Sequence, residues 1–315
     1  MRKLVSWAVG AIVVMSSLAG CAFSDPRIEG TPPSPSAGLA GISDASQATS
    51  EVQAAWAAVA GIAAIDPGTP KWQDMAATLD AQWLVLRGPD PVNRVSSPPA
   101  NPGSPTTFTA VQDGLTAADS ALSSARDADL TRAGSATGLA AAFWASLAAS
   151  TEQVRQGLQG DYASPTPAKP TATIAQTDEN TARSSLVCSY DQGIYGLRSA
   201  LGFLSSGDSA RSQFTSALAT LQKDQASLLD NTTSTATPSP SPAACPGIYE
   251  LPSGHDHDAA VAILTTVQQN LVEVSAVYTA ASSNPSTAAG YLMDNATLAT
   301  GLGIGWAVWP GWPDK

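Results

Sequence analysis

Cysteine, histidine and carboxylate side chains carry much of the covalent and metal chemistry of proteins. This chain of 315 residues holds only three Cys and two His. Both histidines fall in Gly254-His255-Asp256-His257-Asp258. Imidazole beside carboxylate suits zinc, copper or nickel, yet such a centre needs three or four ligands steadied by further contacts. The competing expectation is that one Asp caps the helix that follows, while the acids favour its N-terminal dipole. Nucleophilic catalysis lacks its usual marks, since there is no Gly-x-Ser-x-Gly turn and no Ser-x-x-Lys, and the two possible histidine bases sit together. No glycine-rich phosphate loop occurs either. The sequence therefore assigns no catalytic residue and no cofactor.

The third reactive position, Cys21, belongs to a different pattern. Arg2 and Lys3 precede an apolar run from Leu4 to about Leu18, which is short for a membrane span and fits a secretory signal. The run ends in Leu18-Ala19-Gly20-Cys21, which resembles the lipobox of bacterial lipoproteins. That resemblance implies removal of residues 1–20 and diacylation of Cys21, and two acyl chains suffice for stable anchoring. It places the protein on the outer face of the cell membrane, with the membrane as a partner through the lipid anchor. Residues 21–40, with Gly-Thr-Pro-Pro-Ser-Pro-Ser at their centre, read as a flexible tether. Loss of Arg2 and Lys3 makes the formal net charge of −11 more negative still, which disfavours phosphate-rich partners and excludes nucleic acid. With Cys21 acylated, Cys188 and Cys245 remain, and an oxidising compartment predicts a disulfide between them.

Eight stretches of helical periodicity must position these groups. In the first half the stripes are Val52-Trp56-Val59-Ile62, Trp72-Met75-Leu79-Trp83-Leu86, Phe108-Val111-Leu115-Leu122 and Leu139-Phe143-Leu147-Val154-Leu158. In the second half they are Leu186-Tyr190-Ile194-Leu197-Leu201-Leu204, Phe214-Leu218-Leu221-Leu228, Val261-Leu264-Leu271-Val274-Tyr278 and Tyr291-Leu298-Leu302-Trp306. Steps averaging about 3.5 suit bundle cores. Each half joins its helices by a short, a long and a short connection, the long ones running over 88–107 and 231–254. One long crossover per bundle is the ferritin-like arrangement. The expected architecture is all-α, with two tandem four-helix bundles, residues 41–159 and 174–315, separated by a linker over 160–173. The Ser/Thr/Pro-rich stretch 232–245 reads equally as an O-glycosylated segment or a plain crossover. Trp306, Trp309 and Trp312 either close a bundle end or offer an aromatic surface to a glycan or an envelope protein.

The second half carries a resemblance of its own. Tyr190 to Gly202 (YDQGIYGLRSALG), Pro246 to Pro252 (PGIYELP), Leu271 to Ala281 (LVEVSAVYTAA) and the terminal WAVWPGWP together resemble a ferritin-like domain-of-unknown-function family of high-GC Gram-positive bacteria. The resemblance implies the ferritin-like fold and no established activity. Members of that family often carry Glu-His in the first helix, whereas this chain reads LVCSYDQGIYG there, which weakens any metal role for that helix. A ferritin-like di-iron centre uses a Glu from each of two helices and Glu-x-x-His on the other two. Neither histidine here follows a Glu by three. The candidate metal ligands are therefore Asp191, Asp224, Glu273 and Asp294, with His255 and His257 beyond the bundle. The leading expectation is a non-enzymatic envelope protein with a binding or structural role, and the alternative is a metal-binding ferritin-like protein. A solute-binding lipoprotein is a weaker third reading, because the usual α/β two-lobe pattern is missing.

Overall fold

Small and larger apolar residues recur at steps of three and four along each described element, and that pattern folds as helix. The structure is a computed structural model and describes residues 45–86, 103–160, 162, 165, 174–230, 245, 254–304 and 308–312. Cys21, its apolar run, the tether, most of both long connections and Trp306 lie outside the described residues. Among the described residues there are eight helices and no strand: α1 (Ala45–Ile65), α2 (Lys71–Leu86), α3 (Val111–Ser135), α4 (Leu139–Gly157), α5 (Glu179–Phe203), α6 (Arg211–Asp230), α7 (His257–Ala281) and α8 (Pro285–Gly301). The protein is all-α and built of helical bundles.

Local chemistry starts several of these helices. Asp178 accepts from the Thr181 N–H, Asp256 from the Ala259 N–H and Asn284 from the Thr287 N–H, each satisfying a donor that the first turn leaves open. Pro285 follows Asn284 at the first helical position, where a missing N–H costs nothing. The cap predicted in the His-Asp stretch is thus Asp256.

Side-chain contacts fix the direction of each helix. Arg132, late in α3, reaches Glu51, early in α1, while Thr106 N–H donates to Ala57 C=O at the other end. Lys71, first in α2, donates to the Gly157 carbonyl at the end of α4, and Gln82 donates to Ser150. So α1 runs antiparallel to α2 and α3, and α4 runs antiparallel to both as well. The second half repeats the order. Arg183 of α5 donates to Leu228 C=O of α6, Ser282 after α7 donates to Glu179 of α5, and Tyr291 of α8 donates to Ser227 of α6. In each half the second and third helices are parallel, which requires a long connection between them.

Close approach depends on small residues. A Cβ on Gly114 of α3 would stand 2.6 Å from Ile62 Cγ1 of α1. The buried stripe of α3 is Gly114, Ala118, Leu122, Ala125, Asp129 and Ala133, so the expected Val111 and Leu115 lie only half in the core. Val261, expected in the core, is exposed, and its neighbours Ala260 and Leu264 face inward instead.

The two halves share a boundary built around α4. That helix is buried along almost its whole length, and Gln153 donates to Ala296 C=O and Thr300 Oγ1 of α8. Trp309 stacks on Phe143 at 5.3 Å, and Trp312 meets the same ring edge-on at 6.3 Å. Both are buried, so the described part of the terminal tryptophan group is interior rather than an open aromatic surface. Gly311 adopts φ +81°, and a Cβ there would collide with Ala276. Helices α1 and α7 are long and apolar enough to cross a membrane by length and composition, and each also packs against helices of its own bundle.

Candidate functional site

The centre of the second bundle receives one polar side chain from each of its four helices. Tyr190 comes from α5, Asp224 from α6, Ser275 from α7 and Asn295 from α8, and all four are buried. Asn295 Nδ2 is the hub: it donates to Tyr190 Oη at 3.0 Å and to Ser275 Oγ at 2.9 Å. Tyr190 also meets Tyr291 edge-on at 6.4 Å, and Tyr291 donates onward to Ser227. Asn295 Oδ1 and Asp224 Oδ2 are buried without a hydrogen-bond partner.

Burial governs the electrostatics. It raises the Tyr190 phenol far above its usual range, the charge of Asp224 adds to this, and the bond from Asn295 opposes it. Asp224 is pushed up to about 6, first by burial and then by the charge of Asp294, with Lys223 opposing. Asp294 is raised as well because neighbouring helices crowd its carboxyl, although more than a third of the residue meets solvent. The arrangement can take up a proton at Asp224 as pH falls through about 6, and its hydrogen bonds fix the register of α5, α7 and α8. It activates no nucleophile, because the Tyr190 and Ser275 hydroxyls bond to an amide and not to a base.

The remaining predicted ligands are dispersed. Asp191 and Glu273 are exposed on α5 and α7. His255 packs edge-on against Phe203 at 4.7 Å. His257 Nδ1 lies 3.0 Å from Asp208 Oδ2, which raises the imidazole and lowers the carboxyl. Among the described residues no three Cys, His, Asp or Glu side chains come together as a metal centre. Of the six candidates, the structure brings Asp224 and Asp294 near each other and does not assemble the set.

The cysteine pairing is present: Cys188 and Cys245 are disulfide-bonded with Cα atoms 5.2 Å apart. It ties the long connection before α7 to the middle of α5.

Sequence reasoning named Asp224 as a candidate ligand but missed the other three members of the polar hub. Tyr190 stood among apolar stripe residues, and nothing distinguished Ser275 and Asn295 from the many surface hydroxyls and amides. One signal was available, since Asp224 interrupts an apolar register of 214, 217, 221 and 228. The first bundle hides a similar feature at Asp129, buried beside Arg132. The chain matches no protein-family model, no curated protein and no solved structure in the three comparisons made.

Proposed function

We propose that this chain is an exported lipoprotein, anchored through Cys21 on the outer face of the cell membrane, whose helical bundles have a non-enzymatic binding or structural role. The observation that supports this reading is the Cys188–Cys245 disulfide. Such bonds persist in oxidising compartments and are rare in the cytosol, which agrees with the signal and lipobox pattern at the other end of the chain. The order of helix directions, with parallel second and third helices in each half, supports a ferritin-like reading of both bundles. A buried hub whose members bond to one another suits a part that specifies packing or presents a fixed surface.

Mass analysis of the mature protein tests the anchor. The expected N-terminus is diacylated Cys21, and a Cys21→Ser variant is expected to leave the membrane fraction. A variant that stays fully membrane-bound would overturn the anchor. The metal-binding alternative rests on the neighbouring carboxyls of Asp224 and Asp294. Stoichiometric iron or zinc in purified protein, lost together in Asp224→Asn and Asp294→Asn variants, would favour it over the structural reading.

A further inference from the structure

One guanidinium in the first bundle serves two carboxyl groups. Arg132 Nη1 and Nη2 donate to Glu51 Oε2 and Oε1 at 2.7 and 2.9 Å, and Nη1 also donates to Asp129 Oδ1 at 2.6 Å. Glu51 takes the fork of the guanidinium and keeps 22% of its side-chain surface exposed, whereas Asp129 keeps 1%. Asp129 Oδ2 is buried and meets no donor. Below the guanidinium lies the Trp144 ring of α4, 5.3 Å from Arg132 Cζ.

Among the described residues, the charges that act on Asp129 are those of Arg132 and Glu51. From α1 the facing charge is Glu51, itself hydrogen-bonded by Gln47. From α4 the neutral Trp144 ring lies against the Arg132 guanidinium. Helix α8 approaches α3 through Ser286, near Gly134. On α3 itself, Arg126 is taken by Asp127 and Glu152. With both acids ionised, this site would hold two negative charges against one positive charge while shielded from water. Desolvation opposes such an excess strongly.

We infer that Asp129 is a buried proton-binding group that keeps α1 docked on α3 while neutral and loosens that contact when it ionises. Asp129 faces inward and has no path to solvent, so the strain is relieved by the more exposed partner. Glu51 moves into water and takes the N-terminal half of α1 with it. Burial first, and then the charge of Glu51, raise the Asp129 carboxyl, against the opposing pull of Arg132. Its folded value therefore stands above the unfolded one, and stability present in the acid range is lost as pH rises through the folded value.

The test uses the full mature chain. Infrared difference spectra at about pH 7 are expected to show the carbonyl band of a neutral carboxylic acid, absent in Asp129→Asn. Amide exchange in α1, corrected for intrinsic rates, is expected to show opening that rises about tenfold or more between about pH 6 and pH 9. Asp129→Asn should remove that rise. Glu51→Gln leaves Arg132 to Asp129 alone, so the neutral-acid band should disappear at about pH 7 while α1 stays protected. This second variant keeps the test valid if Asp129→Asn fails to fold. Absence of the band in the parent protein, or an unchanged rise in Asp129→Asn, would overturn the inference.

Discussion

Helices α2 and α6 hold equivalent places in their bundles, and five buried residues of each follow one register. Trp72, Met75, Leu79, Gln82 and Leu86 stand against Phe214, Ala217, Leu221, Asp224 and Leu228, with the same steps of three and four. The fourth position differs in kind. Gln82 is neutral and donates to Ser150 Oγ at 2.7 Å, whereas Asp224 is an acid whose Oδ2 meets no donor. The charges are placed differently too. In the first bundle Arg126, Arg132 and Arg155 bind Glu51, Asp119, Asp129 and Glu152 along α1, α3 and α4. In the second, the buried polar groups are mostly neutral, and Tyr190, Ser275 and Asn295 meet at the centre. One topology therefore supports two ways of burying polarity: ion pairs around a central helix, or a neutral hub within the core. The hub leaves one acid free to titrate.

The strongest way to break the comparison is to remove what joins the halves. Trp309 is buried against Phe143 of α4, and Trp309→Ala leaves a large cavity that should cost about 3–5 kcal/mol. A single denaturation transition is expected to split in two, with amide exchange rising in α4 and α8. Next comes the disulfide, which closes a loop of sequence separation 57. Replacing Cys188 and Cys245 by Ala should cost about 4 kcal/mol on the chain-entropy account. Exchange is expected to rise in α5 to α7 and to stay nearly unchanged in α1 and α2, and an equal rise in both halves would contradict that confinement.

Helix identity was legible in the sequence because periodicity survives wherever the core residue is large, as in Trp72, Met75, Leu79 and Trp83 of α2. It blurred in α3, where Gly114, Ala118 and Ala125 carry the contact and small side chains give little contrast between faces. It also blurred in α4, which is covered on all sides and so shows no polar face. The disulfide was legible from cysteine arithmetic once the lipobox pattern set Cys21 aside. The hub was not, because Asn295 becomes meaningful only when α8 is laid against α5 and α7, and no local pattern encodes that meeting.

Asp224 sharpens the comparison through pH. Its carboxyl sits at about 6 in the folded protein, against about 3.9 for an unperturbed Asp. Between those values the native state binds more protons than the unfolded one, so stability is greatest below the unfolded value and falls as pH rises through 6. The loss should reach about 3 kcal/mol at most. Protonation of His257 beside Asp208 acts in the same direction from an exposed position. In Asp224→Asn the pH dependence of α6 and α8 protection should flatten, with a gain in stability above pH 6, while any dependence at Asp129 persists in α1.

The smallest effects test the logic of the hub itself. Ser150 is the hydrogen-bond partner of the buried Gln82 amide, so Ser150→Ala leaves that side chain without a bond and should cost about 2 kcal/mol. Ser275 is one of two partners of Asn295 Nδ2, the other being Tyr190. Ser275→Ala therefore removes one bond but keeps the amide anchored, and should cost about 1 kcal/mol. Denaturant midpoints of the two variants measure the difference directly. If Ser275→Ala costs more than Ser150→Ala, the hub acts as a cooperative network in which each bond polarises the next. The expected order instead makes it a redundant one, in which losing one spoke leaves the register of α5, α7 and α8 intact.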